Sequence, residues 1–168
     1  MLVIGIDPGT ATTGYGLVSE QQDGSLRIVD YGAIVTPSEL PMSKRLHQLY
    51  HRMSEIVQLH RPDSGAMEKL FFTRNVTNAI SVGQGRGVAL LALAEANLEV
   101  AEYTPMEVKQ AVAGYGGADK HQVQEMVRAL LNLENIPRPD DAADALAVAI
   151  CHLHSARMRD VYESESEQ

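Results

Sequence analysis

The sequence predicts an α/β fold in which helices flank a mixed sheet of five strands. Two observations predict it. Three strand-like segments come first, and a polar turn joins the second to the third, as in an antiparallel hairpin. Segments with helical periodicity then alternate with two further short strands, a pattern typical of parallel strands connected by helices.

The first three strands are justified by apolar runs and by the turns that separate them. The first run is continuous and ends at Asp7, before the turn pair Pro8-Gly9. Gln21-Gln22-Asp23-Gly24 separates the other two and is a hairpin signal. The predicted strands are residues 2–7, 14–19 and 26–35.

An amphipathic helix is predicted over residues 41–60, because apolar side chains recur there every three or four positions. Its histidines lie on the charged side and are expected to be solvated; they are His47, His51 and His60. Pro62-Asp63 breaks the helix, and a short strand over 64–68 then carries Glu68 at its far end.

A second helix, over residues 75–97, is rich in small side chains. Its expected buried positions are Val82, Val88, Leu91 and Ala94. The segment Gly83-Gln84-Gly85-Arg86-Gly87 suggests a phosphate-binding loop, but no strand leads into it, so close helix packing is favoured. A fifth strand follows at 98–103.

Three further helices complete the prediction. Thr104-Pro105-Met106-Glu107 is a helix start with a capping box, and Asp119 with Gln122 starts another. The last helix is expected at about 140–156, after two prolines. The chain is predicted to form one domain over 1–156, followed by an acidic, disordered tail over 157–168.

Composition places the protein among ordinary globular proteins. At 168 residues it is long enough for one sizeable core, and its one cysteine excludes an internal disulfide. Neither a signal-peptide pattern nor an apolar run long enough to span a bilayer is present, so no membrane association and a cytoplasmic location are expected.

The net charge of −8 counts weakly against a nucleic-acid partner. Its distribution weakens that objection. Four acids lie in the last nine residues and four more are candidate metal ligands, which together account for the whole net charge. Basic side chains gather at a few places in the rest of the chain: Lys44, Arg45, Lys69, Arg74, Arg86, Lys109 and Lys120.

Four carboxylates suggest a magnesium site: Asp7, Glu68, Asp141 and Asp144. Two of them end predicted strands, where the sites of open α/β sheets collect, and the other two share one face of the last helix. Acids that converge repel one another, and a divalent cation relieves that repulsion.

Simpler interpretations remain open for these acids. Asp7 could cap an Asp-Pro-Gly turn, and Asp141 could be a first-turn acid that favours the helix dipole. Asp140 also shares a helix face with Asp144, so the residues leave the register of the pair undecided. Phe71 could belong to the core or stack on an unpaired base.

Several motifs resemble those of RuvC-type Holliday junction resolvases. Ile4-Gly5-Ile6-Asp7-Pro8-Gly9-Thr10 resembles the opening of that family, and Glu68 with Leu70-Phe71 resembles its second acidic motif. Asp141-Ala142-Ala143-Asp144-Ala145-Leu146-Ala147 resembles its closing motif. Further similarity lies in 83–88, 108–110 and 120–127, so the resemblance covers about residues 2–156 in order.

The resemblance implies a ribonuclease-H-like fold, a homodimer, and metal-dependent symmetric cutting of four-way DNA junctions in recombination and repair. Its catalytic and metal-binding acids become Asp7, Glu68, Asp141 and Asp144, which selects Asp141 over Asp140. These acids would hold two magnesium ions, with manganese as an alternative. A branch-migration motor of the RuvA/RuvB type is also implied as a partner.

The same resemblance assigns DNA-binding residues. Phe71 would stack at the opened junction centre, and Lys109 and Lys120 would contact phosphates near the cut strand. Lys120 could also assist the chemistry. Arg74 and Asn75 lie in a segment through which the family contacts DNA.

Two rival functions share parts of the pattern. The opening motif also resembles the phosphate-binding segment of actin-like ATPases and sugar kinases, which need two such domains and have no counterpart of the Asp141/Asp144 helix. The other rival is a junction-binding module without catalysis. The complete acid set opposes it, because idle acids would repel DNA phosphates.

Overall fold

A computed structural model describes the backbone of residues 1–70 and 76–166 and the side chains of residues 1–70 and 79–158. Its strands are β1 (Leu2–Asp7), β2 (Thr12–Glu20), β3 (Leu26–Val35), β4 (Ser64–Glu68) and β5 (Val100–Tyr103). Its helices are α1 (Met42–His60), α2 (Val76–Glu95), α3 (Pro105–Ala113), α4 (Lys120–Leu130) and α5 (Asp140–Ser166). Within the described ranges, no helix has the length and apolar character needed to cross a membrane.

The predicted mixed sheet is confirmed. The described strands form one five-stranded sheet in the order β3-β2-β1-β4-β5. The first three strands pair antiparallel, whereas β1, β4 and β5 run parallel to one another. The parallel strands therefore end at the same edge of the sheet, next to the turn that connects β1 to β2.

Helices cover both faces of this sheet. The α1 and α2 helices pack on one face, and α3, α4 and α5 pack on the other. Alternation along β1 supplies both cores, since Val3 packs on the α5 side and Ile4 and Ile6 pack on the α1 side.

The element boundaries differ from the prediction mainly at α5. This helix begins at Asp140 as expected but ends at Ser166, ten residues beyond the predicted end near 156. The segment 157–166 contains neither glycine nor proline, so nothing in it stops the helix. The division into a domain over 1–156 and a tail over 157–168 stays a prediction.

The buried face of α2 also differs from the prediction. Leu91 is 52% exposed and Ala94 is exposed, whereas Ala89, Ala92 and Leu93 are buried. Small and apolar residues occupy most positions of this helix, so periodicity could not distinguish its inner face from its outer face. Among the described side chains, Ile80 and Leu91 are large apolar residues exposed on the outer face.

Candidate active site

Two of the four acids end neighbouring parallel strands. Ile6 of β1 pairs with Met67 of β4, so the residues that follow, Asp7 and Glu68, end side by side. Because side chains alternate along a strand, both acids point to the same face as Ala66, which packs in the α5 core. The sheet thus directs both carboxylates toward α5.

The other two acids lie in the first turns of α5, which sits directly on the backbone of β2. A Cβ atom placed on Gly14 would lie 2.0 Å from the carbonyl oxygen of Asp141, so only glycine permits this approach. Asp141 and Asp144 are three residues apart and share the helix face that meets the strand ends. The structure therefore brings the four predicted acids to one end of the sheet.

The electrostatics of Asp7 reflect this crowding. Burial is the largest cause that raises the pKa of Asp7, followed by the nearby charges of Asp144, Glu68 and Asp141; with Lys120 opposing them, the pKa lies at about 7. The pKa of Glu68 is also raised, first by burial and then by Asp144, against the opposing charge of Lys109. The site therefore has more negative charge than its own lysines offset.

The donor set fits a hard divalent cation. All four ligand candidates are carboxylates, which magnesium and manganese prefer, and a cation would relieve the repulsion that raises the Asp7 pKa. Within the described side chains, no three His, Cys, Asp or Glu residues converge closely enough to hold a metal ion. The described carboxylates influence one another electrostatically, but they do not form a complete coordination site.

Lys120 enters the site from the start of α4. The Asp119 carboxylate caps this helix by accepting a hydrogen bond from the Gln122 N–H at 2.9 Å, which leaves Lys120 in the first turn. The Lys120 Nζ donates to Asp144 Oδ2 at 2.9 Å and lies 3.6 Å from Asp140 Oδ2. The hydrogen bond to Asp144 is the largest cause of a raised Lys120 pKa.

The structure distinguishes Asp140 from Asp141. Asp141 is among the carboxylates whose charge raises the pKa of Asp7, and Asp140 is not. Asp140 is instead paired with Arg138 and lies near Lys120. Asp141 thus acts electrostatically within the acid cluster (Asp7, Glu68, Asp141 and Asp144), and Asp140 lies at its periphery. The choice of Asp141 as a metal ligand stays a prediction.

Lys109, on α3, lies near Glu68. The α3 helix begins at the predicted capping box. Thr104 Oγ accepts from the Glu107 N–H at 3.1 Å, and the Thr104 N–H donates to the Glu107 carboxylate at 2.6 Å. A cavity of about 200 Å³ adjoins the site and is lined by both acids and lysines: Glu68, Lys109, Lys120 and Asp144 with Pro105, Val108, Val123, Ala147 and Val148.

The other predicted DNA contacts lie outside the described residues; they are Phe71, Arg74 and Asn75.

Sequence reasoning missed the role of Arg86 in supporting the site. Its Nη1 donates to the Glu68 carbonyl oxygen at 2.9 Å, its Nη2 pairs with the Glu102 carboxylate, and only 12% of its side chain is exposed. The guanidinium therefore holds the backbone at the end of β4. The available signal was an arginine in an otherwise small and apolar stretch of helix.

The α2 helix also holds the turn that follows Asp7. The hydroxyls of Ser81 and Thr10 share a hydrogen bond, and a Cβ atom on Gly85 would lie 2.9 Å from the Gly9 carbonyl oxygen. The close-packing interpretation of this glycine segment agrees with that contact. One helix thus contacts the backbone beside both strand-end acids.

A mixed sheet in this order, with acids at the ends of its central parallel strands and on the covering helix, defines a nuclease of the ribonuclease-H-like class. The family model of the crossover junction endodeoxyribonuclease RuvC matches residues 3–152. The chain therefore belongs to the RuvC family of endodeoxyribonucleases, metal-dependent enzymes that hydrolyse phosphodiester bonds.

Individual relatives agree with this membership. The RuvC crossover junction endodeoxyribonuclease of Chloroflexus aurantiacus is 60% identical over 156 residues, which is 93% of this chain and 94% of the relative. A Thermus thermophilus RuvC structure superposes with a TM-score of 0.88 at 40% identity, covering 94% of this chain and 96% of that one. The T. thermophilus RuvC in complex with a Holliday junction substrate gives 0.87 at 37% identity, with the same coverage. The similarity spans nearly the whole chain and does not favour a nucleotide-binding domain.

Proposed function

We propose that this protein is a structure-selective endonuclease that resolves four-way DNA junctions by symmetric, metal-dependent phosphodiester hydrolysis during recombination and repair. One observation carries the proposal: a strand-end acid, Asp7, has its pKa raised to about 7 by burial and three surrounding carboxylates. A site of this kind favours cation binding. The junction substrate bound by the T. thermophilus relative supports four-way DNA as the substrate class.

The four acids Asp7, Glu68, Asp141 and Asp144 would hold two magnesium ions, for which manganese could substitute. When bound, such ions activate a water for in-line attack and stabilise the leaving 3′ oxygen. The chain's own contribution is the placement of oxygen ligands on two strand ends and one helix face. That placement is supported by the parallel register of β1 with β4 and by the contact of α5 on Gly14.

Lys120 and Lys109 would bind phosphates of the cut strand. Lys120 is 54% exposed while bonded to Asp144, so its ammonium can reach solvent-side phosphate without leaving the acid cluster. Lys109 offsets the charge of Glu68 from α3. Together they reduce the repulsion between the acids and DNA, and Lys120 is close enough to the acids to assist the chemistry.

Phe71, Arg74 and Asn75 complete the proposed DNA contacts, on the basis of the family resemblance. In the sequence they come shortly after Glu68, the last residue of β4. Phe71 would stack on a base at the opened junction centre, where aromatic faces bind bases without sequence preference. Arg74 and Asn75 would contact the backbone.

A homodimer is proposed through the outer face of α2. Ile80 is 60% exposed and Leu91 is 52% exposed, and a Cβ atom on Gly83 or Gly87 would meet nothing within 4 Å. An exposed apolar stripe with small residues lets a second copy approach closely. A twofold dimer would present two acid clusters to a junction of matching symmetry and nick two strands at related positions.

The remaining parts of the proposal concern context. A branch-migration motor of the RuvA/RuvB type would act with the dimer on the same junction. The nuclease domain would comprise residues 1–156, with an acidic tail over 157–168. A cytoplasmic location would give the enzyme access to chromosomal DNA, and its relatives are bacterial.

Cleavage of labelled synthetic DNA tests the proposal. With magnesium or manganese, the protein should cut a four-way junction at symmetric positions and leave ligatable ends, with much weaker cutting of forked and linear duplexes. Asp7→Asn should bind the junction and fail to cut it. Equal cutting of all three DNAs would refute junction selectivity, and undiminished cutting by Asp7→Asn would refute the acid assignment.

The same experiment separates the rivals. Junction binding without cutting under any divalent cation would favour a non-catalytic module. ATP hydrolysis without cutting would favour a kinase-like domain.

A further inference from the structure

Two exposed histidines on α1 lie closer to each other than two separately solvated side chains would. His47 and His51 are one helical turn apart, and their Nε2 atoms lie 2.9 Å from each other. The ring centroids are 4.2 Å apart, with the planes at 65°. The two Nε2 atoms thus lie within hydrogen-bond distance of each other on exposed side chains of α1.

This separation matches two ligands of one metal ion. Imidazole nitrogens bind such ions at about 2.0–2.1 Å, so two ligands at a right angle lie about 2.9 Å apart, and two at a tetrahedral angle about 3.3–3.4 Å apart. A single N–H donated from one ring to the other would also fit 2.9 Å. The separation of the two nitrogens therefore suits a bound ion as well as a shared proton.

The helix beneath the pair is fixed. Leu49, Met53 and Val57 of α1 are buried in the core under α1 and α2, which holds the backbone of the pair in register. The ring of His51 also contacts Tyr50 edge-on, with centroids 5.5 Å apart, and the Tyr50 hydroxyl is bonded to Glu95 of α2. Ligand positions that are held in advance lose less conformational entropy when an ion binds.

The pair differs from the acid cluster in position and in chemistry. The α1 helix covers the opposite face of the sheet from α5, which carries Asp141 and Asp144. Imidazole nitrogens suit copper, nickel and zinc, whereas carboxylate oxygens suit magnesium and manganese. The two sites should therefore select different ions.

We propose that His47 and His51 form a bidentate site for a divalent transition-metal ion of the copper, nickel and zinc class, with water completing the coordination. The site does not depend on the nuclease function. Since both ligands lie on one helix, the ion joins successive turns of α1 and stabilises the folded chain in proportion to its binding.

Copper and nickel titrations of the protein without an affinity tag test the proposal. One equivalent of Cu²⁺ should bind with an electron paramagnetic resonance signal that shows two nitrogen ligands, and affinity should fall in the order Cu²⁺, Ni²⁺, Co²⁺. Excess Mg²⁺ should leave this signal unchanged. At free Ni²⁺ of about 100 times Kd, the folded-to-unfolded ratio should rise about 100-fold.

Glutamine variants supply the matched comparison, because both positions are exposed and glutamine is a good helix former. His47→Gln and His51→Gln should each weaken Cu²⁺ and Ni²⁺ binding at least tenfold. His121→Gln, at another exposed helical histidine, should bind as the parent does. Parent-like binding by the His47→Gln/His51→Gln double variant, purely oxygen ligation of Cu²⁺, or displacement by Mg²⁺ would each overturn the proposal.

Discussion

Asp7→Asn should stabilise the metal-free protein above neutral pH. Burial and three neighbouring acids raise the pKa of Asp7 from 3.8 to about 7. The folded state therefore holds a proton on this carboxyl between about pH 4 and 7, where the unfolded chain has released it. The contribution of Asp7 to the free energy of unfolding is therefore complete below about pH 4 and is lost as the pH rises through 7.

The size of this effect follows from the shift. A shift of about three pKa units corresponds to about 4 kcal/mol at most, since each unit is 1.36 kcal/mol. Coupling among the acids spreads part of that energy over the cluster, so a gain on the order of 2 to 4 kcal/mol is expected for Asp7→Asn at pH 8. Asparagine keeps the shape and cannot ionise.

Urea unfolding at pH 8 and at pH 4, with a chelator present, measures the difference. The gain should shrink toward zero at pH 4, and magnesium or manganese should stabilise the parent more than Asp7→Asn. Glu134→Gln, at an exposed acid outside the cluster, controls for charge removal alone. Equal unfolding free energies of parent and Asp7→Asn at pH 8 would show that the carboxylate is not destabilised by its surroundings.

Three other variants test the architecture around the acids. Gly14→Ala should lower the unfolding free energy by about 1 to 3 kcal/mol and reduce junction cleavage at least about 100-fold, because the first turn of α5 must move away by over 1 Å. Gly117→Ala is the control: its Cβ would lie 3.6 Å from the nearest atom, so neither stability nor cleavage should change. Arg86→Met should weaken Mn²⁺ binding, followed by calorimetry, about 10-fold to 100-fold by releasing the backbone at the end of β4. Ile80→Glu should convert the proposed dimer to monomers in sedimentation, while Leu59→Glu, at a 75% exposed position on α1, should leave it intact.

The position of the acids was predictable because it depends on rules that act along the chain. Apolar runs located β1 and β4, parallel strands end at a common edge, and alternation of side chains gave Asp7 and Glu68 the same face. The capping residues likewise set the start of α4 and so placed Lys120 in its first turn. Each of these inferences needs only local sequence and one topological rule.

What the sequence did not predict depends on contacts between distant segments. Residue patterns left Asp140 and Asp141 equivalent, because both acids lie in the first turn of α5. Their difference arises in the folded chain, where α5 docks on Gly14: the charge of Asp141 acts on Asp7, whereas Asp140 pairs with Arg138. The buried face of α2 was likewise set by docking, since small and apolar residues occupy most positions of the helix.

The α2 helix shows why these docking contacts matter for function. Its inner face contacts the turn after Asp7 through Ser81 and Gly85, and it holds the Glu68 carbonyl through Arg86. Its outer face is the apolar stripe proposed to meet a second copy. Protein interiors are close-packed and transmit strain, so a substitution that displaces α2 is expected to displace both strand ends. The proposed contact with a second copy and the backbone beside both acids therefore depend on two faces of a single helix.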